Sequence, residues 1–413
     1  MSAPVSTIDA RSPLEKSLDA ALADAQACLA GGEGQRALHT MQEAARAAPH
    51  NAAVQAALGV ALRFNAMIED AAGAFSRALA LQPGRADAAV YLGMIRLAQG
   101  RQAEGWPLYM ARWRNPNWVE KLRYPEKDLW QGKVAPGTRL LLWGEQGFGD
   151  TLQFCRYAPW LLRLMKTQGA TLALEVPAPL QSLFRATWPF MDIFVAGETR
   201  GNFDAHLPLM DLPSRWGNLV GDGGLPYLPF PAPYLSALPD PFAAQRGATS
   251  MPAGGNGELL RVGIAWQGRL THPDDRWRSL PPGQLQSLFN VPGIRWVSLQ
   301  KSEAPGGAGG HPAWLPDDMA QCRDFADTAR IVDGLDLVIS IDSAVAHLAG
   351  ALGKPVWLLL PMVADWRWQL QGDATPWYPD MRLYRQAQRE GWPRLLARVA
   401  EDLAILAKSR SQV

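Results

Sequence analysis

The chain has 413 residues, 48% hydrophobic and 19% charged, which exceeds one ordinary core and sets a soft expectation of about three domains. The 40 Lys+Arg and 39 Asp+Glu nearly cancel, which argues against strong global attraction to nucleic acid or to an anionic membrane and leaves only a local patch open. Cys28, Cys155 and Cys322 lie far apart with no CxxC, so neither a disulfide framework nor a cysteine zinc site is expected, and a reducing cytoplasm fits best.

The first residues lack a basic stretch followed by an apolar one, so no signal peptide is expected. Residues 14–113 are rich in Ala, Leu, Gln, Glu and Arg, all good helix formers. They repeat at a period of 34: Pro49 recurs as Pro83, Ala25 as Gly59 and Gly93, and Met41 as Phe75 and Tyr109. Small residues recur where antiparallel helices would cross closely, and large ones where they would fill the groove. Three such units fit. A stack of this kind leaves a concave face that binds a peptide or protein, or else serves as a spacer or dimerisation element.

A connector rich in Pro and Trp spans 116–136, and 17 Trp in the chain is several-fold above the common usage of about 1%. The pattern then changes to strand-helix alternation. Arg139–Trp143 and Thr171–Val176 read as buried parallel strands, with a helix from Thr151 to about Gln168 between them. Met191–Val195 and Ala205–Pro208 are weaker strands. Gly, Pro, Ser and Ala clusters over 221–257 mark a linker. A second alternating half carries strands at Leu260–Trp266, Ile294–Leu299, Asp336–Ile341 and Pro355–Leu360, and a closing helix spans 391–408. The expected division is therefore a repeat domain over 14–115, α/β halves over 137–250 and 258–390, and the closing helix. Two open parallel sheets place a ligand at the carboxyl ends of their strands.

Four stretches lie at such ends. In Trp143-Gly-Glu-Gln-Gly-Phe-Gly-Asp150, the glycines Gly147 and Gly149 let the backbone approach a ligand, and Asp150 falls at the helix start, either as its cap or as a carboxylate presented to substrate. The loop after Trp266 holds Arg269, Arg276 and Arg278, whose guanidinium groups suit phosphate. Asp274 and Asp275 could equally neutralise them, and Ser279 could cap the next helix. Ser298-Leu-Gln300-Lys301 ends the next strand. In Ile341-Asp342-Ser343-Ala344-Val-Ala-His347 a buried strand stops at Asp342 and a helix starts. Its first N–H groups would hold an anion, and His347 lies on the same face as Ser343. The chain contains no Walker A, HExxH or GxSxG pattern. It also has no Asp-x-Asp pair, so no carboxylate pair for a divalent metal is expected.

The segments Gly-Glu-Gln-Gly-Phe-Gly-Asp150-Thr, Asp274-Asp-Arg-Trp-Arg-Ser279 and Ile341-Asp-Ser-Ala-Val-Ala-His-Leu-Ala-Gly350 together resemble the ADP-heptose:lipopolysaccharide heptosyltransferase-like glycosyltransferases. The whole chain, from about residue 14 to 407, resembles the bacterial tetratricopeptide-repeat members of that superfamily. The resemblance implies the GT-B architecture, two Rossmann-like halves with a cleft between them. It implies a nucleotide-sugar donor on the second half, an acceptor on the first, and no required metal or other cofactor. Asp150 matches the family's proposed catalytic base. Asp342, Ser343, Ala344 and His347 match the donor-binding junction, and Arg276 stands where heptosyltransferases carry a phosphate-binding Lys. The expected donor site is thus Arg276, Arg278, Ser279, Gln300, Lys301, Asp342, Ser343, Ala344 and His347. The repeat domain implies a protein acceptor. Two other readings remain: a non-enzymatic scaffold that senses nucleotide, and a nucleotide-sugar epimerase.

Overall fold

The computed structural model describes residues 12–118, 120–198, 203–220, 232–237, 259–272, 274–301, 311–387 and 391–410. The chain divides into two compact units between Trp118 and Val119.

The first unit is helical: α1 (Pro13–Gly31), α2 (Gly34–Ala47), α3 (Ala52–Phe64), α4 (Ile68–Leu81), α5 (Ala86–Ala98) and α6 (Gln102–Tyr109). Each helix packs against the next. A capping box starts α1: Glu15 N–H donates to the Ser12 hydroxyl at 3.2 Å, and Ser12 N–H to the Glu15 carboxylate at 2.7 Å. The 34-residue period has a steric cause. Met41, Phe75 and Tyr109 are buried and fill the space that the small residues leave. A Cβ on Gly59 would lie 2.7 Å from the Phe75 ring, closer than packed carbons can approach, so the large residue in one column requires the small residue in the other.

The second unit holds two all-parallel five-stranded sheets. The first is built from β1 (Asp128–Leu129), β2 (Arg139–Trp143), β3 (Thr171–Val176), β4 (Asp192–Val195) and β5 (Ala205–Pro208), in the order β1-β5-β2-β3-β4. Its helices are α7 (Phe148–Phe154), α8 (Ala158–Thr167), α9 (Ala178–Thr187) and α10 (Leu212–Val220). The second sheet is built from β6 (Leu260–Ala265), β7 (Ile294–Ser298), β8 (Leu337–Ile341), β9 (Val356–Leu360) and β10 (Met381–Arg385), in the order β10-β9-β8-β6-β7. It carries α11 (Asp275–Arg278), α12 (Gln286–Phe289), α13 (Phe325–Asp333), α14 (Ala344–Ala351) and the closing α15 (Gly391–Arg410). The central strands are nearly continuous apolar runs, as expected of strands covered on both faces: Leu140 to Trp143 and Leu337 to Ile341 are fully buried.

Two expectations change. The segment 116–136 does more than connect, because β1 pairs with β5 inside the first sheet and that half begins before residue 137. The helix expected from Thr151 starts at Phe148 and is broken by a 3-10 turn at Cys155–Tyr157. The linker over 221–257 lies mostly outside the described residues. Of its described part, Tyr234 and Leu235 donate N–H bonds to Ala351 O at the end of α14, at 3.0 and 3.1 Å.

Strand order locates the site. In the first sheet the chain runs β2-β3-β4 to one side, then returns to place β5 on the other side of β2. In the second it runs β6-β7, then places β8 on the other side of β6. The crevice outside the carboxyl ends at such a reversal is where open α/β sheets bind ligands. The glycine turn follows β2, the Arg-rich loop follows β6, and Asp342 follows β8.

Candidate functional site

The turn after β2 is held from outside the sheet. Arg123, from the segment preceding β1, donates to Gly144 O at 2.7 Å and to the buried Glu175 carboxylate at 2.9 Å. Tyr124 donates its hydroxyl to the other Glu175 oxygen at 2.6 Å. Glu120 accepts from Gln146 N–H, whose residue adopts a left-handed φ of 60°. The turn is therefore fixed before a ligand arrives, so its peptide groups incur little ordering cost on binding.

Asp150 is the third residue of α7 rather than its cap. Its Oδ2 accepts from Gly147 N–H at 2.8 Å, satisfying a donor that the helix start would otherwise leave unpaired. Its Oδ1 accepts from the Arg367 guanidinium. The side chain is 19% exposed. Burial pushes the carboxyl above its usual range, against the opposing pull of Arg367 and the Gly147 N–H.

Across from it, α7 and α14 are in contact. A Cβ on Gly149 would lie 2.7 Å from His347 Cδ2 and 3.6 Å from Ala344 Cα, so only glycine permits this approach. His347 is buried. Its Nδ1 pairs with Tyr378 OH at 2.9 Å, its Nε2 lies 3.8 Å from Asp342, and its ring stacks on Trp368 at 5.3 Å. Burial holds the imidazole well below its ordinary pKa, so it is neutral at pH 7.

Arg278 donates to Asp342 O at 3.1 Å and pairs with Asp275, so the loop after β6 is tied to the end of β8. Ser279 ends α11 and does not cap the next helical turn, whose N-cap is Pro281: its hydroxyl donates to Asp275 at 2.9 Å and accepts from Gly268 N–H at 3.0 Å. Gln300 accepts from Trp266 and Gln267 N–H at 3.1 and 2.9 Å, closing the ends of β6 and β7. Lys301 donates to Cys322 O at 3.1 Å. Ser343 pairs with Ser340 at 3.0 Å. Arg276 is exposed, with its guanidinium 4.5 Å from the Trp277 ring. The structure thus gathers Gly149, Asp150, Arg278, Asp342, Ala344 and His347. It places Gln300 and Lys301 on loop backbone, and Arg276 at the surface.

Sequence reasoning missed the groups that join the halves. Arg156, buried, donates to Trp377 O at 2.8 Å and to Tyr234 OH at 3.0 Å. Ser182 donates to Asp324 at 2.6 Å. Arg367 lies in Asp365-Trp-Arg-Trp368, just beyond β9. One signal could have found it: that stretch also follows the carboxyl end of a strand, beside β8. Among the described residues, no group of three or more His, Cys, Asp or Glu is placed to hold a metal ion.

Asp342 gives a pH test. Burial, with the Asp365 carboxylate adding to it, pushes its carboxyl up to about 6, against Trp368, Arg278 and Arg367. A carboxyl raised above its unfolded value keeps its proton in the native state after the unfolded chain has lost it, so stability falls as pH rises from about 4 through about 6. Asp342→Asn removes that loss. The variant should gain stability over the parent across this window, by on the order of 1–3 kcal/mol. Denaturant titrations at several pH values would contradict this if the two profiles ran parallel.

No family model matches the chain. Protein FlbA of Caulobacter vibrioides is 29% identical over 332 residues, covering 76% of this chain and 54% of FlbA. The chain thus spans about half the length of that relative. Among solved structures, Escherichia coli ADP-heptose lps heptosyltransferase II aligns at 16% identity over 66% of this chain and 99% of its own, with a TM-score of 0.41. A glycosyl transferase family 9 protein from Veillonella parvula aligns at 10% identity over 68% and 99%, with a TM-score of 0.43. The iron-containing dodecameric glycosyltransferase TibC of enterotoxigenic E. coli aligns at 13% identity over 68% and 78%, with a TM-score of 0.42.

Proposed function

We propose that the chain is a glycosyltransferase of GT-B architecture that moves a sugar, with inversion and without a metal, from a nucleotide-sugar donor to an acceptor. The observation that carries this reading is the Asp150 carboxylate, presented by the reversal point of one sheet toward the strand-helix junction at the reversal point of the other. In this mechanism the donor diphosphate lies on the second half, by the start of α14 and Arg278, with exposed Arg276 able to swing onto it. Positive and N–H groups there would stabilise the charge that develops on the leaving diphosphate. Asp150 would take the proton from an acceptor hydroxyl as it attacks the anomeric carbon. A carboxylate whose proton affinity is raised by burial is a stronger base than one in water. The helical unit is proposed as a tetratricopeptide-like recruiter of a protein acceptor, and the cytoplasm as the compartment.

A thermal-shift panel of nucleoside diphosphates and their sugars tests the donor. A ligand at a hundredfold excess over its Kd stabilises the native state by about 2.7 kcal/mol, which reads as a Tm rise of a few degrees. One nucleotide class should stand out, its sugar should be turned over, and EDTA should leave that turnover unchanged. No shift with any nucleotide would reject the reading. A sugar isomerised while still attached to nucleotide would instead identify an epimerase.

A further inference from the structure

We propose that Arg367 is the positioning residue for Asp150, holding the carboxylate in place from the opposite half, so that the base is complete only when the two halves are together. The proposal rests on the reading of Asp150 as the base.

The guanidinium is fixed on every side, and its side chain is 8% exposed. Nη2 donates to Asp150 Oδ1, Nη1 to Asp365 at 2.8 Å, and Nε to Gln153 Oε1 at 2.8 Å. One face lies 4.4 Å from the Trp366 ring, and the Phe154 ring is 5.8 Å away. Its backbone is held too: Arg367 N–H donates to Asp365 at 3.0 Å, and Arg367 O accepts from Trp377 Nε1 at 3.0 Å. Asp365, Trp366 and Trp377 belong to the second half, whereas Asp150, Gln153 and Phe154 all lie on α7 of the first. Separation of the halves therefore removes the cation from Asp150 and leaves it with the Gly147 N–H. A Lys could supply charge here but not the fork that spans Asp150, Asp365 and Gln153.

Charge sets the readout. Asp150 faces Arg367, Asp365 and His272, and Arg367 also faces Asp342 and His347. Burial and Asp365 raise the Asp150 carboxyl while Arg367 lowers it. Loss of Arg367 leaves the raising influences dominant.

The test uses the full chain with carbon-13 in the Asp carboxyls, and assigns Asp150 by the signal lost in Asp150→Asn. Arg367→Gln should raise the midpoint of Asp150 titration by about 1 to 3 pH units, and Arg367→Lys should bring most of that back. A purely structural arginine would not give a charge-dependent rescue. An unchanged midpoint in folded Arg367→Gln overturns the proposal. If that variant does not fold, the parent decides: the Arg367 Nε–H signal should shift with the Asp150 midpoint, and should be flat over that range in Asp150→Asn. A flat signal in the parent also overturns the proposal. No nucleotide sugar enters these measurements, so they stand apart from the donor panel. If the coupling holds but Asp150→Asn transfers sugar normally, the base assignment falls and the idea of a base completed by closure falls with it.

Discussion

Asp150→Asn is expected to lower sugar transfer on the order of 100-fold or more, the size of effect expected when a general base is lost, while donor binding stays near that of the parent. The geometry explains why binding and chemistry should separate. Asn keeps the side-chain shape and one oxygen that can accept from Gly147 N–H, which Asp150 does at 2.8 Å, or from Arg367. Arg367 still has Asp365 at 2.8 Å and Gln153 at 2.8 Å, so its charge is not left unpaired. The proposed diphosphate contacts lie on α14 and the loop after β6, and the substituted amide is not among them. What Asn cannot do is hold a proton taken from an acceptor hydroxyl. Single-turnover transfer with the donor found by thermal shift, alongside calorimetry with the nucleoside diphosphate alone, reads the two effects separately. Turnover close to the parent's removes Asp150 as the base. Loss of the folded state would instead assign the carboxylate to the start of α7.

How much of this was legible in the sequence follows from how local each cause is. Buried parallel strands announce themselves by apolar runs, and Arg139–Trp143 and Thr171–Val176 appear in the structure at the residues expected, as does the weaker candidate Ala205–Pro208. The edge strands divide: β4 and β7 fall on the expected Met191–Val195 and Ile294–Leu299, whereas β1, two residues long, and β10, reading Met-Arg-Leu-Tyr-Arg with Arg382 exposed, do not show, because an edge strand needs no continuous apolar face. α7 begins three residues before the expected Thr151, an expectation set by Gly147 and Gly149, which look like turn residues. The helix reaches back to Phe148 because Asp150 can satisfy Gly147 N–H from inside it.

The candidate site was legible where its residues sit at a strand end and illegible where the arrangement depends on a distant partner. Asp150 and Arg367 are 217 residues apart, and no local pattern joins them. Gln300 and Lys301 stand at a strand end as expected, yet their polar groups meet backbone at Trp266, Gln267 and Cys322. A strand-end position says where a side chain starts, not what it finds within reach. His347 illustrates both: the Asp-Ser-x-x-x-His spacing placed it at the junction, but its neutral, buried ring comes from Tyr378, Trp368 and Gly149, which the spacing could not supply.

Gly149→Ala sets two opposed effects against each other. Helix propensity alone would make Ala better than Gly inside α7 by about 1 kcal/mol. Against that, the added Cβ would lie 2.7 Å from His347 Cδ2. The ring cannot easily yield, because it is buried, stacks on Trp368 at 5.3 Å and is bonded to Tyr378 at 2.9 Å. The backbone must move instead, drawing α7 away from α14 and Asp150 away from Arg367. A displacement near 1 Å at a reacting group can cost on the order of 100-fold in rate, so transfer should fall by about that factor in a protein that remains folded. The same substitution in a His347→Ala background meets no ring. There it should cost far less, and the non-additivity measures the contact directly. Equal losses in both backgrounds would place the cause outside the His347 contact. A fully active Gly149→Ala protein would show that sugar transfer does not require α7 and α14 to meet as they do in this structure.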